Sequence, residues 1–293
     1  MSQRLSWLEL GWIRKLRRDS YDDSHAVWIS RVFLMKRVLT ALALVPLVTG
    51  MVFFAPPFMI AVGLALTALL CLREFFGVVT AGGVRPLRFL RISGYVLTTM
   101  LIMVPGPDLL SVGFVLLALI VFLPLMWRHS MTGKAVAATL LGIVYIGGSF
   151  TLARELHLIN PHWLFWVLFL NWIGDSAAYY VGRSIGRHKL APRVSPNKTW
   201  EGAFASTVMA TAMGVAYWSY FITGAMTNIY FVIVMTILVN IAGQVGDLAE
   251  SFLKRSASLK DSGDILPGHG GILDRIDGII FAIPFYYFFW IKL

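Results

Sequence analysis

Between Arg37 and Arg73 the chain runs thirty-five residues without a charge. A helix needs about 20 mostly apolar residues to cross a bilayer. The run is too long for one crossing, and Pro56-Pro57 interrupts it near the middle, so it reads as two spans. Similar stretches recur near residues 90–104, 109–127, 135–152, 161–180, 202–222, 228–250 and 276–291. The expected fold is an all-α integral membrane protein with about nine transmembrane helices. Composition agrees: 58% of residues are hydrophobic, only 14% are charged, and the mean hydropathy is +0.74. These values exclude a disordered chain, a collagen-like fibre and a water-soluble globule. The single cysteine, Cys71, excludes an internal disulfide framework and a cysteine-based zinc site.

Nine spans place the termini on opposite sides. With the N-terminus in the cytoplasm, 23 of the 25 lysines and arginines fall in cytoplasmic segments, leaving Arg154 and Lys292 outside. Such an excess is the positive-inside signature. It accounts for most of the +10 net charge, so the charge is no argument for nucleic-acid binding, and none is expected. The C-terminus is then on the opposite side. Residues 1–34 form a basic extension with no cleavable signal pattern. Within it Leu5, Leu8, Trp12 and Leu16 share one helical face beside Arg14, Lys15, Arg17 and Arg18. This pattern is either an interfacial helix on anionic lipid or a disordered basic tail.

Residues 35–293 are expected to form one polytopic catalytic domain with cytoplasmic loops at 181–201 and 250–275. Asn171, Asp175, Asn240, Gln244 and Asp247 lie within or at the ends of spans, where polar groups are costly, so they should face an interior cavity. Asp175 is followed by Arg183, Arg187, His188, Lys189, Arg193 and Lys198, interleaved with glycines and prolines. Cations beside an acid at a membrane mouth suit a polyphosphate substrate. Taken alone, charge asymmetry is the better explanation of these cations. The stretch Ser195-Pro196-Asn197-Lys198-Thr199 reads as a short turn opening the next helix, whose free N–H groups add anion affinity.

The other cluster spans residues 246–278 and holds six of the 15 acids: Asp247, Glu250, Asp261, Asp264, Asp274 and Asp277. Asp247, Glu250 and Lys254 share a helical face, and Asp274 and Asp277 stand three apart. Two carboxylate pairs at helix mouths, with few histidines and no local cysteine, suit a hard cation such as Mg2+. The run Gly268-His269-Gly270-Gly271 lets backbone approach a ligand closely. There is no P-loop, dinucleotide fingerprint, nucleophile elbow or zinc helix. What remains is carboxylate for metal, cations for phosphate and access to lipid: an inventory for phosphoryl or nucleotidyl transfer to a lipid head group.

Residues 251–277 resemble the signature of the phosphatidate cytidylyltransferases (CDP-diacylglycerol synthases) without a mismatch, from Ser251, Lys254 and Arg255 through Lys260-Asp261, Gly263, Leu266-Pro267 and His269-Gly270-Gly271 to Asp274-Arg275 and Asp277. Asp175, Ala178-Tyr179, Gly182-Arg183, Ser195-Pro196, Lys198-Thr199 and Glu201-Gly202 also resemble that family, as does the start at residues 36–42. The first 34 residues depart from its usual short N-terminus.

The resemblance implies an all-helical membrane enzyme, often dimeric, that converts CTP and phosphatidate to CDP-diacylglycerol and pyrophosphate. It implies Mg2+, with a monovalent cation such as K+ beside it, and metal-binding roles for Asp247 and Asp274. Lys254, Lys260 and Arg275 are then expected to act with those aspartates on the reacting phosphates. Ser195, Asn197, Lys198, Arg255 and His269 are expected to bind substrate, while Asp175, Glu250 and Asp277 ligate metal or orient its ligands. The single cysteine and compact form suit a bacterial inner membrane with the site facing the cytoplasm. Two rivals share parts of this pattern: a CTP-dependent enzyme on another lipid, such as a polyprenol kinase, and a secondary transporter.

Overall fold

The computed structural model describes residues 43–104, 133–222, 228–265 and 270–291. The chain divides into two compact units, residues 1–48 and 49–293. Of the first, only residues 43–48 are described, as the start of helix α1 (Ala43–Phe54). The basic extension, the start motif at 36–42, the expected span near 109–127 and His269 all lie outside the described residues.

The second unit is mostly helical. The Pro56-Pro57 pair separates α1 from α2 (Pro57–Ala81), with Pro57 at the first helical position, where its missing N–H costs nothing. Helix α3 (Arg88–Met103) follows. Helix α4 covers Gly133–Ile159 and contains a wider π turn at Ile143–Gly148. Helix α5 (Pro161–Ile185) starts on Asn160, whose side chain accepts from His162 N–H. Helix α6 (Trp200–Phe221) starts on Thr199, α7 (Ile229–Ser256) on Asn228, and α8 is Leu273–Ile291. These caps are the short polar side chains that satisfy free N–H groups at a helix start. Among the described residues, three helices, α2, α4 and α7, are long and apolar enough to cross a membrane by length and composition.

The all-α expectation needs one amendment. Lys189–Ala191 (β1) and Ser195–Thr199 (β2) pair antiparallel as a small hairpin inside the expected loop, with Lys189 opposite Thr199. The expected turn at Ser195–Thr199 is therefore a strand. Pro196 sits at an edge of this two-stranded ladder, where a missing donor is tolerated. The helices also run further than the span boundaries suggest. Glu250 and Lys254 belong to α7 rather than to a loop, and α5 continues to Ile185.

The core that positions the site joins four helices. Ala65, Ala68, Cys71, Leu72, Phe75 and Phe76 of α2 pack with Ile102 of α3, Ile146 and Phe150 of α4, and Leu273 and Ile280 of α8. Leu273, the first residue of α8, is thereby held against the far end of α2. Helices α7 and α8 meet through glycines: a Cβ at Gly246 would lie 2.8 Å from the Asp277 carbonyl oxygen, and Gly278 approaches the Gly243 carbonyl similarly. This close approach brings the two acidic helix ends together.

Candidate active site

Two neighbouring groups of side chains make up the site. The first lines a cavity of about 620 Å³ walled by α5, α6, α7 and the hairpin. Asp175, Tyr179 and Arg183 come from α5, Lys189 from β1, and Asn197 and Lys198 from β2. Gln244 and Asp247 come from α7, one turn apart. Lys198 makes an ion pair with Asp247, so the basic loop and the acidic helix meet across the cavity wall. Ligand cavities commonly fall in the range of roughly 300–1,000 Å³, and this one mixes cations, carboxylates and neutral polar groups.

The expected interior polar residues divide by position. Asp175, Gln244 and Asp247 line the cavity. Asn171 and Asn240 are instead buried at helix crossings. Asn171 donates to Val167 O at 2.8 Å, and Asn240 bonds Ser206, Thr207 and Gln244. Their polarity is satisfied by neighbours, as buried amides require.

The second group surrounds the start of α8. Lys254 is buried and contacts both Glu250, one turn back on its own helix, and Asp274. Asp274 Oδ2 also accepts from Gly271 N at 2.7 Å and Ser262 N at 2.9 Å. Burial works to raise the Asp274 carboxyl, but the Lys254 ammonium and these two N–H donors hold it below its ordinary value. Gly270 has a φ of +75°, and a Cβ there would lie 2.7 Å from Asp274 Oδ2, so only glycine suits the position.

Glu74, near the end of α2, was not singled out from sequence. Its carboxylate is only 5% exposed and accepts from Ser262 Oγ (3.1 Å), Ile272 N (3.0 Å) and Leu273 N (2.8 Å). It thus caps the N-terminus of α8 from a helix about two hundred residues away in sequence. The available signal was a lone acid, next to Arg73, directly after the long uncharged run.

Other expected residues take varied positions. Arg255 is exposed and donates to Val194 O and Leu259 O, tying the hairpin to the end of α7. Lys260 and Arg275 are exposed, and Ser195 is half-buried in β2. Glu201, in the first turn of α6, pairs with the His188 ring at 2.6 Å. Hydrogen bonds from its own backbone N–H and from the His188 ring, with further donors at Arg187 and His188, take the Glu201 carboxyl down to about 2.

The acids can be tested as cation ligands by their chemistry. Asp277 lies within electrostatic range of Asp247, Glu250 and Asp175, so four carboxylates from three helices repel one another there. Glu250 meets Lys254 as an ion pair, yet neither of its buried oxygens has an aligned hydrogen bond among the described residues. Mutual repulsion and an under-satisfied carboxylate both favour a cation. Among the described residues, no three of the acids close into a metal cage. Mg2+ does not need one, because it is usually held by one or two carboxylates plus substrate phosphates. The donor set therefore fits a magnesium ion.

The family model described as the cytidylyltransferase family matches residues 35–292 of this chain. The chain belongs to that family. It is 36% identical over 238 residues to the phosphatidate cytidylyltransferase of Brucella suis biovar 1 (strain 1330), covering 79% of this chain and 82% of that one. The Bacillus subtilis (strain 168) phosphatidate cytidylyltransferase is 38% identical over 164 residues, 55% of this chain and 60% of its own. The Staphylococcus aureus (strain COL) protein of the same name is 40% identical over 152 residues, 50% of this chain and 56% of its own. As a cytidylyltransferase, the chain is a nucleotidyltransferase, and the cavity and the α7–α8 junction are where its polar side chains converge.

Proposed function

We propose that the chain transfers CMP from CTP to phosphatidate, giving CDP-diacylglycerol and pyrophosphate. The observation that carries this reading is the Lys198–Asp247 pair in the wall of the 620 Å³ cavity, within a chain of the cytidylyltransferase family. A phosphate monoester has a second pKa near roughly 6 and is largely dianionic at neutral pH. Its oxygen attacks the α-phosphorus of CTP; a new P–O bond forms, the bond to the β-phosphate bridging oxygen breaks, and pyrophosphate leaves. No proton has to be removed from the nucleophile, so positioning and charge neutralisation dominate.

In this reading Lys198 binds CTP phosphates, with Arg183 and Lys189 around the same cavity. Asn197 and Ser195 contact the nucleotide or head group, and Lys254, Arg255, Lys260 and Arg275 supply further positive charge. Asp247 and Asp274 would hold Mg2+, with Asp175, Glu250 and Asp277 ligating it or orienting its ligands. When bound, Mg2+ supplies charge neutralisation on the leaving pyrophosphate; K+ is proposed as a neighbouring monovalent ion. The chain crosses a bacterial inner membrane about nine times, N-terminus in the cytoplasm and C-terminus outside. Phosphatidate enters sideways from the cytoplasmic leaflet. Residues 1–34 lie on anionic lipid, and the enzyme pairs as a homodimer.

The test uses purified protein, phosphatidate, Mg2+, K+ and CTP labelled at the α-phosphate. Label reaching the lipid phase, lost on chelation and restored by Mg2+, supports the reading. Release of CDP without lipid label identifies a kinase instead. Absence of both products from folded protein overturns CTP chemistry on this lipid.

A further inference from the structure

Helix α2 carries none of the acids or cations assigned above, yet it sends one carboxylate into the α7–α8 connection. A buried carboxylate inside a long apolar helix is costly unless every lone pair finds a donor. Glu74 finds three, and their sources are informative. Ile272 N and Leu273 N are free donors at the start of α8, where the helix dipole favours negative charge. The third, Ser262 Oγ, belongs to the residue whose own N–H donates to Asp274 at 2.9 Å. Ser262 therefore stands between two carboxylates, giving its hydroxyl to Glu74 and its amide to Asp274.

The glycines of the connection fit around the same group. A Cβ at Gly263 would lie 2.7 Å from Glu74 Oε1, and one at Gly271 would collide with Glu74 Oε2 and Ser262 Oγ. Gly271 N is the other donor to Asp274. Both backbone donors that orient Asp274 are thus placed by residues packed on Glu74. The α2 end itself is fixed by Leu72, Phe75 and Phe76 in the core shared with Leu273.

We propose that Glu74 is a positioning residue for nucleotidyl transfer: through Ser262 and Gly271 it sets the orientation of Asp274 and hence of Lys254. The inference rests on the reaction proposed above. It differs from a helix-capping role in its kinetic consequence. A mere cap changes how much protein folds; a positioning group changes the rate of folded enzyme. Misplacing a catalytic constellation by about 1 Å costs on the order of 10²-fold in rate.

The experiment compares full-length wild type, Glu74→Gln and Ser262→Ala in detergent with phosphatidate, Mg2+ and labelled CTP. Glu74→Gln keeps the shape but replaces one acceptor oxygen with a donor. Its kcat per folded molecule should fall about 10²-fold, with KM for CTP and for phosphatidate within about threefold, since neither substrate touches Glu74. Amide exchange at Ser262, Ile272 and Leu273 should accelerate while α2 and α7 stay protected. Ser262→Ala removes only the hydroxyl link, and its kcat should fall roughly tenfold, the scale of one hydrogen bond to a charged group. Wild-type kcat in folded Glu74→Gln, or unchanged exchange at the three amides, overturns the proposal. If Glu74→Gln does not fold, Ser262→Ala decides by the same kcat and KM criterion. A wild type that never labels lipid defeats the proposed reaction instead, and the exchange rates alone then decide whether Glu74 organises the connection.

Discussion

Lys254, in the last turn of α7, reaches Asp274 in the first turn of α8 while also contacting Glu250 on its own helix. One ammonium therefore balances two buried carboxylates and joins the two acidic helices. Removing one member of such a group leaves a buried charge without its partner, which costs about 3–5 kcal/mol. Lys254→Met should lower the thermal unfolding midpoint clearly more than Asp274→Asn. The asparagine retains an oxygen for Gly271 N or Ser262 N, whereas the methionine leaves two carboxylates facing each other. Both variants should lose at least about 10²-fold in lipid labelling, the scale of losing a preorganised charge at a reacting phosphate. Unfolding curves and turnover on the same preparations separate the two effects, and wild-type turnover in Asp274→Asn would sink its place in the site.

Lys198 is held by β2 and meets Asp247 in the cavity wall. In the proposed reaction its ammonium exchanges the Asp247 carboxylate for a CTP phosphate. Lys198→Ala should lower kcat/KM for CTP on the order of 10²-fold while leaving KM for phosphatidate near wild type. Lys198→Arg should recover only part of the loss, because the planar fork does not replace a compact point charge at the same spot. Initial-rate kinetics with each substrate varied in turn check this; an unchanged KM for both substrates with normal kcat would remove Lys198 from the site.

Two carboxyls outside the expected spans have folded pKa values below their ordinary ones: Asp274, and Glu201 at about 2. A depressed value means the folded state favours the ionised form. The stabilisation is complete above the unfolded value of about 4 and disappears as pH falls through the folded one. These two groups therefore add no pH dependence near neutrality and a loss of stability in acid. Glu201→Gln should flatten only the part of that decline between about pH 4 and 2, and by a small amount, because the Glu201–His188 pair is solvent-accessible. The difference between the two proteins' midpoints, measured from pH 7 to 3, checks the sign; a difference that does not shrink as the pH falls below about 4 contradicts it.

The uncharged run, its Pro-Pro break and the paired acids at residues 247/250 and 274/277 were legible because each depends on residues close in sequence. Helix periodicity places Lys254 beside Glu250, and the structure pairs them. The hairpin at Lys189–Thr199 was not legible, since a strand of three residues carries too little alternation to register against a basic, glycine-rich loop. Asn171 and Asn240 read as cavity residues because the sequence shows only that a span holds an amide. Whether a neighbouring helix satisfies it depends on packing. Glu74 was missed for the same reason: its three donors lie about 190 to 200 residues onward. The resemblance marked the glycines of the α7–α8 connection, but only the fold shows which carboxylates they are shaped around.

Gly271 offers the sharpest check on that last relationship. Its N–H donates to Asp274, and the space where a Cβ would stand is already filled by Ser262 Oγ and Glu74 Oε2. The residue needs no left-handed backbone, so alanine there is a test of close approach rather than of backbone freedom. Gly271→Ala must push the Glu74 carboxylate or the Ser262 hydroxyl aside, and overpacking of this kind costs about 1–3 kcal/mol. Gly77 lies on the same helix as Glu74, with nothing within 4 Å of its would-be Cβ, so Gly77→Ala is the matched control. The expected result is a lowered unfolding midpoint and a fall in kcat for Gly271→Ala, against wild-type turnover for Gly77→Ala. A Gly271→Ala enzyme as stable and as fast as wild type would show that the connection yields freely, and that Asp274 does not depend on the cradle built around Glu74.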